Sequence, residues 1–179
     1  MKKKALAFAA MACSVAMLLS ACGGSNSNAA SGDTAGSNII TAYNSEPQNP
    51  LIPGNTNETG GGKPVDLLFS RLVSFDKDGK ASNEVAESIT PNDDATQYTI
   101  KIKSGWKFTD GTPVTAHSFV NAWNYTANSA NKQASASFFS TIEGYDDLQK
   151  PDVDPKATLS GLTVVDDNTI DVKLSQPDS

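Results

Sequence analysis

The stretch that decides the fold is residues 98–116, which read YTIKIKSGWKFTDGTPVTA. In its first half Tyr98, Ile100 and Ile102 alternate with threonine and lysine, a pattern that predicts a strand with one buried and one wet face. Two glycines then mark turns, because glycine adopts the positive φ that tight turns require. Thr115 is a suitable N-cap, so we expect a helix to begin at the next residue.

Downstream of this stretch, the sequence predicts a strong helix, a weaker helical segment and a hairpin. The apolar residues of the strong helix recur at helical spacing, as Ala116, Phe119, Val120, Trp123 and Ala127. A weaker helical pattern contains Phe138 and Phe139. Residues 162–165 and 170–174 alternate like strands, and the Asp-Asp-Asn sequence between them predicts a turn.

Upstream of the stretch, loops and short elements are expected. Residues 38–44 (NIITAYN) predict a first strand, and the Pro-, Asn- and Gly-rich residues 45–62 predict a long loop. Pro64 suits the first turn of a helix whose apolar side continues through residues 65–72. Residues 73–75 predict a short strand, which a turn at the DKDG sequence then ends.

Together these elements predict a mixed fold. Helices combined with mainly antiparallel strands are typical of the α+β class. The class becomes α/β if strands distant in the sequence complete a sheet.

The first 37 residues are predicted to lie outside the fold. Residues 1–21 have a basic start, an apolar run too short for a comfortable membrane span and a small-residue end, which is typical of a secretory signal peptide. The sequence LSAC resembles the bacterial lipobox, which implies cleavage before Cys22 and lipid attachment to Cys22. An uncleaved anchor and a plain signal peptide are the alternatives. Residues 22–37 are mostly Gly, Ser, Asn and Ala, and predict a flexible tether.

The net charge bears on the binding partners, and the cysteine content bears on disulfide bonding. The formal net charge is −6, and an acidic chain repels phosphate backbones, so we expect no nucleic-acid partner. Cys13 lies within the predicted leader. The mature chain would therefore keep Cys22 alone and would contain no internal disulfide.

The sequence does not predict an enzyme. A hydrolase needs a nucleophile, a base and an orienting group, but His117 is the one histidine and falls at the second position of a predicted helix. Neither a GxSxG nor an HExxH sequence occurs, and the acidic pairs fall in predicted turns. We expect no metal site and no cofactor. A surface adhesin or structural lipoprotein would share the anchor and the tether, and is kept as an alternative.

Three segments carry a resemblance to a known family: residues 67–73 with the following Asp-Gly, residues 98–116, and residues 169–177. In this order they resemble the peptide/nickel (family 5) type of bacterial extracytoplasmic solute-binding proteins, which includes the oligopeptide- and dipeptide-binding lipoproteins of ABC importers. The middle segment is the most specific, because its prominent residues fall at fixed spacing. These are Trp106, Phe108, Asp110, Gly111, Pro113 and Thr115.

We interpret this middle segment as structural. The aromatic pair Trp106 and Phe108 is expected to pack in the core or on the hinge side. Asp110 and Gly111 are expected to close a turn, and Thr115 to cap a helix. None of these residues is predicted to contact a ligand.

The resemblance also implies the architecture. Family members have a two-lobed periplasmic-binding-protein-like fold that closes over a buried ligand, and their class has an extra domain inserted in the first lobe. On this basis residues 38–60 are expected to form the first strand and loop of lobe one. Residues 61–179 are expected to form the inserted α+β domain. The sequence is then interpreted as an N-terminal fragment that ends before the second lobe.

A function follows from the resemblance. It implies the substrate-binding component of an ABC transporter, which captures oligopeptides outside the cytoplasmic membrane and delivers them to permease subunits driven by cytoplasmic ATPases. With the lipobox, it implies a protein anchored by lipid to the outer face of the bacterial cytoplasmic membrane. Alternative ligands within the same family are sugars and nickel complexes.

Two stretches are candidates for ligand contact by the same resemblance. The loop after the first strand carries Asn57 and Glu58, and an acidic residue there would contact the backbone amine of an extended peptide. The stretch after the strong helix carries Phe138 and Phe139, where an aromatic ring would lie along the peptide. A solvated loop glutamate and a core-packed aromatic pair are the respective alternatives.

Overall fold

The computed structural model describes residues 41–178. The predicted signal peptide, the predicted lipid-attachment residue Cys22 and the predicted tether lie outside the described residues. From Ala42 onward the described chain forms one compact unit. Its elements are α1 (Thr59–Leu68), β1 (Val73–Phe75), β2 (Ala81–Asn83), β3 (Ala86–Pro91), β4 (Gln97–Ile102), α2 (Ala116–Ala127), 3₁₀ helices at Ser129–Asn131 and Ala136–Phe139, α3 (Tyr145–Leu148), β5 (Leu162–Asp166) and β6 (Thr169–Lys173).

A four-stranded antiparallel sheet organises the unit, with strand order β3-β4-β6-β5. The predicted hairpin is confirmed as β5 and β6, and β6 also pairs with β4. That second pairing places Ile100 opposite Ile170 and Tyr98 opposite Val172. One face of the sheet is therefore lined by apolar side chains from strands that are distant in sequence. The mixed helix and antiparallel sheet confirm the predicted fold class.

The core lies between that apolar face and α2. The predicted alternation in β4 is confirmed, because Ile100 and Ile102 are buried while Lys101 is exposed. Ala116 and Val120 are the buried core residues contributed by α2. Burying one isoleucine or valine side chain contributes about 1.5–3 kcal/mol, so this cluster is the main source of stability.

The turn at Asp110 and Gly111 forms as predicted, with Gly111 at φ +88°. The Phe108 amide donates to the Thr112 carbonyl at 2.8 Å, which closes the turn. Trp106 is partly buried against the core cluster. Phe108 is 50% exposed, so it does not pack in the core of the described residues, and packing on the hinge side stays a prediction. It lies two residues closer to the turn than Trp106, beyond the edge of the core.

The helix start at Thr115 is confirmed. The Thr115 amide donates to the Ser118 hydroxyl at 3.1 Å, and α2 begins at Ala116. The Ala116 amide donates to the Asp167 carbonyl in the β5–β6 turn at 2.7 Å. This bond fixes the first turn of the helix to the sheet.

A second, smaller cluster extends the core past the end of α2. Its buried apolar residues are Ala127, Leu148 and Leu159. The fully buried side chain of Asn128 donates to the carbonyls of Asp154 and Ala157, at 2.9 and 3.1 Å. These bonds satisfy the amide group and hold the loop after α3 against the end of α2.

The N-terminal segment departs from the sequence-based expectation. Residues 41–44 of the predicted first strand are not a strand, because no other strand of the described part pairs with them. Residues 38–40 of that prediction lie outside the described residues. The first helix begins at Thr59 rather than at Pro64 and ends before Leu72. The Gly60-Gly61-Gly62 run, which reads as loop, is helical because the Glu58 carboxylate accepts a hydrogen bond from the Gly61 amide at 2.8 Å.

Pro64 therefore lies inside α1. Proline has no amide hydrogen, so the carbonyl four residues earlier, that of Gly60, loses its helical donor. The Asn44 side-chain amide donates to that carbonyl instead, at 2.7 Å. Among residues 41–178, no helix is long and apolar enough to cross a membrane.

Candidate functional site

The loop that precedes α1 is held in shape by its own hydrogen bonds. The Thr56 hydroxyl lies 3.0 Å from the Pro50 carbonyl and 2.9 Å from the Ile52 carbonyl. The Asn55 amide donates to the Ile52 carbonyl at 2.9 Å. A loop rich in proline and asparagine thus adopts a defined conformation without forming a strand or helix.

Glu58 closes this loop at its base. One carboxylate oxygen accepts from the Gly61 amide at 2.8 Å, and the other accepts from the Gln48 amide at 3.2 Å. The side chain is half-buried, while Asn57 beside it is exposed. A carboxylate has about four acceptor positions, so capping the helix leaves capacity for another donor. Ligand contact by Asn57 and Glu58 stays a prediction.

The tip of the same loop contacts the segment that precedes the second 3₁₀ helix. The Gly54 carbonyl accepts from the Ser135 amide at 3.0 Å. The Asn55 side-chain oxygen accepts from the Ala134 amide at 3.3 Å. These two bonds connect the stretches that the resemblance identified as ligand contacts, although 79 residues separate Asn55 from Ala134.

The aromatic pair divides between solvent and core. Phe138 is 82% exposed, which excludes core packing for this ring within the described chain. Phe139 is half-buried, and its ring centroid lies 6.4 Å from that of Trp123. Such tilted aromatic contacts stabilise the position of the 3₁₀ helix. Of these two rings, that of Phe138 is the more exposed, and ligand contact by either ring stays a prediction.

An open apolar groove of about 380 Å³ lies between this 3₁₀ helix and the sheet. The Tyr98 hydroxyl donates to the Asp178 carbonyl at one end of it. The groove was not predicted from the sequence. The available signal was the alternation in β4 and β6, because it defines the sheet face that α2 covers only in part. The lining residues are Ile89, Tyr98, Ile100, Trp123, Phe138, Phe139, Thr141, Ile142, Val172, Leu174 and Asp178.

Three exposed ionisable groups have pKa values shifted by neighbouring hydrogen bonds. Hydrogen bonds from Thr96 lower the pKa of the Asp94 carboxyl, and hydrogen bonds from Thr112 lower that of Asp110. Hydrogen bonding to Asp147 raises the pKa of the Lys150 ammonium. All three groups are exposed, so their charges are compatible with solvent and need no catalytic explanation. Within residues 41–178, no group of three His, Cys, Asp or Glu side chains is placed to hold a metal ion.

Comparisons with known proteins give one consistent family. Residues 80–179 match the model described as "Bacterial extracellular solute-binding proteins, family 5 Middle". The periplasmic oligopeptide-binding protein OppA of Escherichia coli K12 is 37% identical over 115 residues, which cover 62% of this chain and 20% of that protein. The oligopeptide-binding protein OppA of Bacillus subtilis is 29% identical over 167 residues, which cover 90% of this chain and 30% of that protein.

A solved structure with the same fold is that of Haemophilus influenzae OppA in complex with the peptide RPPGFSPFR. It matches with a TM-score of 0.68 and 30% sequence identity, over 74% of this chain and 26% of that one. The chain thus spans between a fifth and a third of the length of the relatives it matches.

Proposed function

Since the chain belongs to the family 5 bacterial extracellular solute-binding proteins, we propose that it is part of a receptor that captures oligopeptides and delivers them to an ABC importer. The observation that carries this proposal is the similarity to the oligopeptide-binding proteins of two bacteria and to a peptide-bound solved structure. A capture function also agrees with a family defined by solute binding rather than by catalysis.

The chain's own contribution to binding is proposed to come from its connected loop and 3₁₀ helix. Glu58 is already held by two backbone amides, and its remaining acceptor capacity suits the amino group of an extended peptide. Asn57 is exposed beside it and offers an amide group to the peptide main chain. The exposed ring of Phe138 provides an apolar surface for a peptide side chain. Main-chain contacts of this kind give affinity without requiring one peptide sequence.

The two-lobe arrangement is proposed for the whole protein. Residues 38–60 would belong to lobe one, and residues 61–179 to the domain inserted in it. Helix α1 begins at Thr59, so this boundary falls within its first turn. The second lobe would supply the opposite wall of the cleft, and closure of the two lobes would enclose the peptide.

We also propose that the protein is held at the outer face of the cytoplasmic membrane through lipid on Cys22. Two or three acyl chains suffice for stable anchoring, since each buried methylene contributes about 0.8 kcal/mol. Cys22→Ser should abolish incorporation of labelled fatty acid into the protein. Cys13→Ser is the matched control, because it removes the other leader cysteine, and it should leave the incorporation unchanged. Incorporation into Cys22→Ser equal to that of the wild type would contradict lipid attachment at Cys22.

The ligand class is tested with the full-length protein that carries this chain. The purified protein is freed of bound ligand, incubated with a mixed pool of short peptides, sugars and nickel complexes, and separated from unbound solute. Mass spectrometry then identifies what is retained. Selective retention of peptides supports the proposal. Retention of sugars or nickel complexes alone would replace the ligand and keep the family.

A further inference from the structure

We propose that Gly54 and Asn55 are positioning residues that fix the ligand-facing loop to the 3₁₀ helix carrying Phe138. We call their two hydrogen bonds, to the amides of Ser135 and Ala134, the loop contact. The inference rests on the proposed function, because its effect is measured as a change in the peptide Kd. The loop contact is expected to preorganise the peptide site. The inference assigns a role to two residues that are themselves not expected to touch the peptide.

The loop needs such an outside connection. Its internal bonds, from Thr56 to two loop carbonyls and from the Gln48 amide to Glu58, set its shape but do not set its position relative to α2. The loop contact supplies this position, because the Ala134 and Ser135 amides belong to the chain that follows α2. The loop and the 3₁₀ helix form the two sides of the candidate site, and both are therefore positioned relative to α2.

Gly54 is required by the closeness of this approach. A Cβ atom at Gly54 would overlap the Thr126 hydroxyl oxygen. Thr126 has little freedom to move away, because it is 8% exposed and its hydroxyl donates to the Ala122 carbonyl at 2.8 Å. A larger residue at position 54 would therefore push the loop away from α2.

Asn55 provides an acceptor with a fixed direction. Its side-chain oxygen receives the Ala134 amide, and its own backbone amide is used inside the loop by the Ile52 carbonyl. Asn55 thus takes part both in a hydrogen bond within the loop, to Ile52, and in one outside it, from Ala134. Alanine at this position would remove the external bond and keep the internal one. Aspartate would keep an oxygen acceptor in the same place.

Loss of the loop contact should weaken binding through preorganisation. A loop that moves freely must be ordered when peptide binds, and the cost of ordering it is subtracted from the affinity. We expect Asn55→Ala and Gly54→Ala to raise the peptide Kd roughly tenfold. Asn55→Asp should restore most of the wild-type affinity.

The test uses the full-length protein and two measurements. Hydrogen exchange at the amides of Ala134 and Ser135 in the ligand-free protein reports the loop contact, and calorimetric titration with a retained peptide reports the Kd. Asn131→Ala is the matched control, because it removes a side-chain bond to the Tyr125 carbonyl in the same region without altering the loop contact. The melting temperature of each variant shows that the fold is kept.

Faster exchange at both amides together with a weakened Kd in Asn55→Ala, and recovery in Asn55→Asp, supports the positioning role. Faster exchange with an unchanged Kd would overturn it, and so would a weakened Kd of the same size in Asn131→Ala. Failure of the wild type to bind any peptide is a different result, which would reject the proposed function itself.

Discussion

The sheet with α2 and the segment from the loop through α1 are built on different principles. The first buries apolar residues from β4, β6 and α2, and Ile170 at its centre is 0% exposed. The second leaves Leu67 and Leu68 88% and 66% exposed, and side-chain hydrogen bonds to the backbone hold its shape. The contrast indicates that the sheet region carries most of the stability, and it agrees with the proposal that the loop region contributes to recognition.

The largest effect should come from the centre of the sheet. Ile170→Ala is expected to lower the free energy of unfolding by about 2–5 kcal/mol, because it leaves a cavity among fully buried neighbours. Urea denaturation followed by circular dichroism measures the change. Val165→Ala, which is exposed on the neighbouring strand, should change stability by about 0.5 kcal/mol or less. Similar effects at the two positions would mean that the sheet face is not the core.

The next effect should come from a glycine that has both a special backbone conformation and no space for a side chain. Gly144 has φ +88°, and a Cβ atom there would lie 2.6 Å from the Ser160 amide nitrogen. The left-handed conformation alone costs about 1–2 kcal/mol in alanine, and the steric overlap adds about 1–3 kcal/mol.

Gly105→Ala is the matched control for this substitution. Gly105 has the same φ of +88° but open space around its Cβ position, so its replacement should cost the conformational part only. The difference between the two variants, measured by thermal or urea unfolding, isolates the steric part. Equal destabilisation would show that the segment at Ser160 moves aside.

In the loop region, a substitution should act locally rather than globally. Glu58→Ala removes the cap of α1, which is typically worth about 0.5–2 kcal/mol to a helix. Exchange at the Gly61 amide should become faster, while the global unfolding midpoint changes little. Asp66→Ala is the control, because it removes only the exposed ion pair with Arg71. A large drop in global stability in Glu58→Ala would break the distinction between the two regions.

The smallest effect is the pH dependence of stability that comes from the turn at Asp110 and Gly111. Hydrogen bonds to the Thr112 amide and hydroxyl lower the folded-state pKa of Asp110 below its unfolded value. Its contribution to stability is therefore present above the unfolded pKa and is lost as pH falls through the folded pKa. The stability difference between the wild type and Asp110→Asn should shrink as the pH is lowered from neutral into that acidic range. A difference that grows on acidification would contradict the assignment.

The sequence predicted β4, β6 and α2 well because their signals are local, but it did not predict the edge strand β3. Alternation in β4 and β6, a glycine in the turn at position 111 and a capping residue at position 115 each act within a few residues. The strands, the turn and the helix start that these signals predict were all confirmed. Core packing of Phe108 was not found, because its exposure depends on where the chain at this turn extends past the sheet.

The loop region was predicted poorly because its structure depends on distant partners. The glycine run after Glu58 was predicted to be a loop. It is helical because the Glu58 carboxylate caps it, and the Gln48 amide, ten residues away, holds that carboxylate in place. The Gly60 carbonyl has no helical donor because of Pro64, and the Asn44 side chain donates to it instead. Asn44 lies in the segment that was predicted to be a strand. The exposure of Phe138 and the groove beside it likewise depend on how β4 and β6 pair across the sheet.

Phe138 provides the most direct test of the central claim, that recognition lies outside the region that stabilises the fold. Calorimetric titration of a retained peptide into full-length protein is compared for the wild type, Phe138→Ala and Phe75→Ala, whose ring is similarly exposed in β1. We predict that Phe138→Ala raises the Kd roughly tenfold with an unchanged melting temperature, and that Phe75→Ala changes neither. An unchanged Kd in Phe138→Ala would contradict the account.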